Sequence, residues 1–460
     1  MKRILLTGLV AITLIGCGSD DDGTPSGSAG SSGSAGAGGR SGNGGSAGAG
    51  GSGGSGTGAS AGSGGVAGSA GSAGHGGAAG SAGTGGSAAS GGSGGTAGSA
   101  GSGGNSSGIG PQPVQPTPIA QGTLFAAPNG SGTACSQAAP CDIWTAVQQA
   151  SGGDVVFLRG GTYPISKNLS FSNQASEGSP VVYESYPGET AVLDGSQHQK
   201  GTQIYVRVTG QFVHLRRLEV KNMPMQGVWI GGTDNLLDGV HSHHNGLSGI
   251  QIFSPYSDFP YGANGSRNVI RNCVVNDNSG AGIFDAEFAN GGNSDGISIS
   301  SGADNRVENC LVYKNSDDGI DTWRSTGSYV GYSISYANGI ADGNGQGIKA
   351  GGQPPSADTV VERCLSYSNK SAGIDYNSAK NATFTNNTTW DNKRGYSLGA
   401  DTLVTANIAA DAGNAGTGIP TDNSWQRSGS VAFISTDPGS ADFLRPTVGG
   451  GFEDIGAYAK

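Results

Sequence analysis

The chain has 460 residues and a formal charge of −10, with only 13% of residues charged. No basic stripe stands against that acidic balance, which excludes a nucleic-acid binder. An acidic polymer could approach only where a bound divalent cation or a local group of Lys and Arg inverts the sign.

Lys2 and Arg3 precede an apolar run from Ile4 to Gly16 that is too short to span a bilayer. Leu14-Ile15-Gly16-Cys17 has the form of a bacterial lipoprotein cleavage box. Residues 1–17 are therefore read as a signal peptide, with the Cys17 sulfur carrying lipid after cleavage. This places the protein outside the cytoplasm, secreted or lipid-anchored to the outer membrane or cell surface, and touching a membrane only through that anchor. Residues 18–117 are almost all Gly, Ser and Ala up to about Gly110. Such a stretch has no apolar surface to offset ordering entropy, so it is read as a disordered tether with an r.m.s. span of about 50–60 Å. Pro111, Pro113 and Pro116 stiffen its end.

The folded domain is assigned to residues 118–460 and expected to be a monomer. Cys135 and Cys141 flank a turn-rich Ser-Gln-Ala-Ala-Pro, and in an oxidising compartment they are expected to form a disulfide. Residues 142–149, with Ile143, Trp144 and Val147, form the one convincing helical patch. It precedes a first strand at Asp154–Leu158 and is placed as an N-terminal cap over the apolar core.

Further along, Asn followed by small polar residues, Gly and an aliphatic recurs. Copies run from Asn222 to Val228, Asn245 to Ile250, Asn278 to Ile283, Asn293 to Ile297, Asn315 to Ile320, Asn344 to Ile348 and Asn369 to Ile374, and Asn392 to Tyr396 is a variant. Between them lie short alternating runs such as Val269 to Val275, Val307 to Val312 and Val360 to Leu365. Strand-length runs punctuated at about 22–29 residues, with no 3.6-residue period, indicate a parallel β-helix. Asn278 and Asn293 are too close for two coils, so residues 284–292 are read as an inserted loop, and 254–266 as another. His241, His243 and His244 are read as an exposed polar turn rather than a transition-metal site. Cys273, Cys310 and Cys364 share one repeat position and are read as buried free thiols. The segments 441–446 and 452–458 are expected to close the last coil.

Side chains alternate across a strand. If Ile297, Ile320, Ile348 and Ile374 fill the core, the next residues form an outward column of Ser298, Asp321, Lys349 and Asp375. The residues before each Gly form a second column of Asp295, Asp318, Gln346 and Ala372. With Asp317 beside them, four carboxylates and one lysine gather on one outer face. Carboxylates so close repel unless a cation compensates them, and hard oxygens in an irregular cluster suit Ca²⁺.

The Asp-Asp-Gly-x-Asp block at 317–321 and the Gly-x-Lys at 347–349 followed by small residues resemble the family 9 polysaccharide lyases, calcium-dependent pectate lyases on a right-handed parallel β-helix. The resemblance covers residues 120–460 loosely and is sharp between Asn293 and Gly352. It implies calcium ligands at Asp295, Asp317, Asp318 and Asp321, a Brønsted base at Lys349, and β-elimination on an acidic polysaccharide of the polygalacturonate kind. Arg324 is a candidate clamp on a further uronate carboxylate. Two other readings compete. A β-helix glycoside hydrolase would use paired carboxylates, but its family adds a Gly-His-Gly that this chain, with no His after His244, lacks. A glycan-binding or adhesin solenoid would have no need of Lys349 beside the metal cluster.

Overall fold

The computed structural model describes residues 113–253, 265–283, 291–341 and 343–459. The expected signal peptide, Cys17 and nearly all of the tether lie outside the described residues, as does most of both inserted loops. Among the described residues no helix is long and apolar enough to cross a membrane.

The strands stack into three parallel sheets of twelve, nine and ten strands, each coil contributing one strand to each sheet along most of the stack. Register keeps like residues above like. In the twelve-stranded sheet Leu237, Ile270, Val307, Val330, Val361, Phe384 and Val404 follow one another into the core. In the nine-stranded sheet Ile250, Ile297, Ile320, Ile348, Ile374 and Tyr396 do the same. All of these are fully buried, and each large aliphatic so buried contributes about 1.5–3 kcal/mol.

Between the ten- and nine-stranded sheets the coils turn through a ladder of asparagines. In Asn245, Asn278, Asn315, Asn338 and Asn369 the backbone N–H and side-chain amide both donate to the next member's Oδ1, and Asn392 does so to Asp411. Every rung satisfies polar groups that burial would otherwise leave unpaired. Ser242, Ser335 and Ser366 point inward beside the ladder and donate to the carbonyls of Gly249, Gly347 and Gly373 at 2.6–2.7 Å. The repeat glycines have ordinary φ but no room. A Cβ on Gly319 would lie 2.0 Å from Ser335 Oγ and 2.5 Å from the Gly347 carbonyl.

The ladder differs from the expected motif at one place. Asn338 belongs to it and Asn344 does not, because the chain between the rung and Gly347 is longer here than the three residues that separate Asn315 from Gly319. Asn278 and Asn293 share one coil, as their short spacing implies: Asn278 is the rung whose strand is Ile297–Ile299, and Gly282 and Ile283 lie in a turn within the insertion.

Helix Ile143–Gln149 caps the first coil, with Asp142 accepting from Thr145 N at 3.0 Å and with Ile143 and Ala146 buried in the core cluster. A Cys135–Cys141 disulfide braces the chain before it. Cys273, Cys310 and Cys364 are free and buried. Of the two C-terminal segments expected to close the last coil, 452–458 packs Phe452 and Ile455 on Ile408 of the last strand of the ten-stranded sheet. Phe443, Leu444 and Ala457 reach further back and pack on Ile334, Leu365 and Tyr367, on the outer face of that sheet. There Tyr313, Tyr336 and Tyr367 stack with centroids 4.8–4.9 Å apart, and the tail covers the Tyr336 and Tyr367 end of that strip. The histidines are not a turn: His241–His243 is a strand of this sheet, paired with Glu219–Lys221.

Candidate functional site

The site lies where the ladder turn enters the nine-stranded sheet. Strands Ile297–Ile299, Ile320–Asp321, Ile348–Lys349 and Ala372–Asp375 are in register, so Ser298, Asp321, Lys349 and Asp375 form one column. The preceding turn stacks Asp295, Asp318, Gln346 and Ala372, linked by the N–H groups of Gly296, Gly319 and Gly347, which donate to the carbonyls of Asp318, Gln346 and Ala372. Strand alternation turns the Ser298, Asp321, Lys349 and Asp375 column away from the apolar core, and the turn before each strand sets the second column beside it, but neither is solvated as an outer face implies. Asp295, Asp317, Asp318 and Asp321 are all buried, and Lys349 is 4% exposed.

Asp295, Asp318 and Asp321 each bring a carboxylate oxygen within 4.8 Å of the other two. Lys349 Nζ lies 3.3 Å from Asp318 Oδ2 and 3.4 Å from Asp321 Oδ2. Asp317 stands differently: its two oxygens accept the backbone N–H groups of Asn293 at 2.6 Å and Asn344 at 2.5 Å. It tethers the inserted chain on both sides while adding its charge to the cluster. Asp318 Oδ1 accepts from Gln346 N at 2.7 Å and Asp295 Oδ1 from Asp318 N at 3.3 Å.

Burial, reinforced by the neighbouring carboxylates, holds the Asp295 and Asp318 carboxyls well above the usual range. Burial likewise pushes Asp321 up to about 6 against the opposing pull of Lys349. Burial alone would lower the Lys349 ammonium, but Asp321, Asp318, Asp317 and Asp295 outweigh it and raise it well above its ordinary value. The cluster is thus short of positive charge. Asp321 Oδ1 is buried and receives no hydrogen bond, and Asp318 Oδ2 has the Lys349 ion pair but no hydrogen bond. An orphaned buried oxygen costs about 1–3 kcal/mol, and three converging hard donors fit a divalent cation of the calcium type.

The small residues after Lys349 have a steric cause. A Cβ on Gly352 would lie 1.9 Å from Trp323 Cδ1, and one on Gly351 would lie 2.4 Å from Ala379 Cβ. Arg324, at φ 57°, stacks its guanidinium 4.5 Å over the Trp323 ring and donates to Gln353 Oε1 at 2.9 Å. It is half-buried, three residues beyond Asp321. Asp375 and Gln346 border the cluster without having been assigned a role. Both were visible in the sequence as members of the two columns.

Fold and site together define a parallel β-helix that carries a buried carboxylate cage with a lysine inside it. Residues 124–414 match the family model described as Pel9A-like, right-handed β-helix region, and the chain belongs to that family. A relative named pectate lyase L, from Paenibacillus polymyxa (strain SC2), is 30% identical over 301 residues, which are 60% of this chain and 64% of the relative. Pectate lyase PEL9 from Emericella nidulans is 26% identical over 355 residues, 66% of this chain and 83% of that one. Among solved structures, pectate lyase Pel9A superposes with a TM-score of 0.60 at 24% identity, covering 72% of this chain and 91% of that chain. A rhamnogalacturonan lyase superposes with a TM-score of 0.57 at 19% identity, covering 73% and 100%. At these identities the structural matches speak for the right-handed β-helix and not for the substrate.

Proposed function

We propose that this protein is a calcium-dependent polysaccharide lyase that cleaves a uronate polymer of the polygalacturonate type by β-elimination, with Lys349 as the Brønsted base. The observation that carries this reading is the placement of Lys349 Nζ within 3.4 Å of both Asp318 and Asp321, inside a carboxylate set that matches the chemistry of a hard cation. The pectate lyase names of the relatives from P. polymyxa and E. nidulans support the same class of activity.

Asp295, Asp318 and Asp321 would hold the ion, with Asp317 bracing the surrounding chain. When bound, calcium supplies charge that offsets the carboxylates and draws electron density from a uronate carboxylate, which acidifies the proton at C5. Lys349 in its neutral form accepts that proton at Nζ, the C5 electron pair becomes the C4–C5 double bond, and the bond from C4 to the glycosidic oxygen breaks with that oxygen as leaving group. The four carboxylates oppose the neutral form in the bare cluster, so charge compensation at the cage is also what frees the base. Arg324, stacked on Trp323, would pair with a further uronate carboxylate. The proposed setting is extracytoplasmic, with residues 1–17 as signal, Cys17 as lipid anchor, 18–117 as tether and 118–460 as a monomeric catalytic domain.

The test is a polymer panel of polygalacturonate, alginate and rhamnogalacturonan with calcium present. Fastest release of unsaturated oligouronides from polygalacturonate supports the assignment. Binding without turnover on every polymer would leave the glycan-binding module as the better reading.

A further inference from the structure

A second group of ligand-bearing side chains lies on the ten-stranded sheet, away from the carboxylate cage on the nine-stranded one. Strands Glu219–Lys221 and His241–His243 pair in parallel, with Glu219 opposite His241 and Lys221 opposite His243. Val220 and Ser242 point into the core and are fully buried, so alternation puts Glu219, His241 and His243 on one outward face. The two imidazoles stack with centroids 4.2 Å apart and an interplanar angle of 30°. Each of the three residues offers one ligand atom, and these atoms lie within 4.8 Å of one another. All three side chains are half-buried, ordered by their neighbours yet open to an ion.

The neighbouring coil orients one ring. Asn276 Nδ2 donates to Asp277 Oδ2 at 2.6 Å, which turns the Asn276 carbonyl oxygen toward His241 Nε2 at 2.9 Å. An amide oxygen only accepts, so the His241 proton sits on Nε2 and the Nδ1 lone pair is left available. This is how a second layer of residues prepares a metal-binding histidine. His243 Nε2 faces Glu219 Oε1 at 3.3 Å, and its Nδ1 faces His244 Nδ1 at 2.7 Å, so a third imidazole borders the group. Lys221 Nζ, 3.1 Å from Glu219 Oε1, provides the local positive charge in the ion's absence. Its side chain is 30% exposed, so this ion pair borders solvent.

We propose that Glu219, His241 and His243 form a binding site for a borderline divalent transition ion of the zinc class, with His244 holding the His243 ring from its other nitrogen. Two imidazoles and one carboxylate select zinc, copper or nickel over the all-oxygen preference of calcium. The ion would staple two successive coils on the outer face, a role independent of the proposed lyase chemistry.

The test is a zinc titration of the full chain by calorimetry, with calcium saturating so that the carboxylate cage is filled. The wild type is expected to bind one zinc at micromolar or better affinity, with X-ray absorption showing imidazole scattering. His241→Ala and His243→Ala, both on an outward face, should keep the native circular dichroism and weaken zinc by at least about tenfold. Lys221→Met, which removes the competing ammonium, should bind zinc as tightly as wild type or more tightly. Zinc binding weaker than millimolar in the wild type, or binding unchanged in a His241→Ala/His243→Ala double variant, would overturn the assignment.

Discussion

Replacing Lys349 separates the roles its position allows. Its Nζ is 3.3 Å from Asp318 and 3.4 Å from Asp321, so it is at once the candidate base and the counter-charge of the cage. Lys349→Ala removes both. As loss of a general base it should lower the turnover rate by about 10²- to 10⁴-fold, roughly 3–5 kcal/mol of barrier. As loss of a cation beside the ion's ligands it should tighten calcium. Unit charges about 4 Å apart interact by about 4 kcal/mol at the effective dielectric of a partly buried site, so even a third of that is about tenfold in Kd. Lys349→Arg separates the two effects, because arginine keeps the charge and cannot shed its proton near neutral pH. It should be nearly as slow as the alanine variant but, unlike it, should bind calcium no more tightly than wild type. Initial rates on polygalacturonate and calorimetric calcium titrations of the three proteins give both readouts. An arginine variant that retains most of the wild-type rate would refute Lys349 as the base.

Three further outcomes are expected. Asp321 is pushed up to about 6 in the metal-free cluster, so its contribution to stability is present below its unfolded value near 4 and lost as pH rises through 6. That loss is of the order of 3 kcal/mol. Since calcium offsets it, the gap in melting temperature between calcium-loaded and chelated protein should widen from pH 5 to pH 7, and a constant gap would contradict the cluster's protonation. Gly319→Ala puts a Cβ 2.0 Å from Ser335 Oγ and should cost about 1–3 kcal/mol in denaturant unfolding; a neutral result would contradict the tight turn. Asn338→Ala breaks one rung between Asn315 and Asn369 and should cost at least about 2 kcal/mol by stranding the buried groups on both sides, whereas Asn344→Ala, outside the ladder, should change stability little.

The stacking of the site was legible because parallel coils keep register. One aliphatic per coil identifies the inward row, and the residues beside it then fall into columns, which is where Asp321, Lys349 and Asp375 are found. Insertions hid the rest. Asn338 and Gly347 are separated by extra chain, so spacing favoured Asn344, whereas the insertion after Asn278 showed itself because Asn293 follows too soon for a second coil. Alternation shows which way a side chain points but not what covers it, so the burial of Asp295, Asp318 and Asp321 could not be read from the pattern. The polar run at His241 looked like a turn because Ser242 points inward, a position that works only because its hydroxyl finds the Gly249 carbonyl 2.7 Å away. The tail's return over Tyr336 and Tyr367 is a long-range contact with no local signal.

The central claim is that carboxylate-held calcium and Lys349 together perform an elimination. The most direct measurement is the ultraviolet absorbance of the product formed from polygalacturonate by the full chain, first as purified, then with a chelator, then with calcium restored. An unsaturated, ultraviolet-absorbing product that vanishes on chelation and returns with calcium is the predicted result. Product release that ignores the chelator, or that yields only saturated reducing ends, would contradict it.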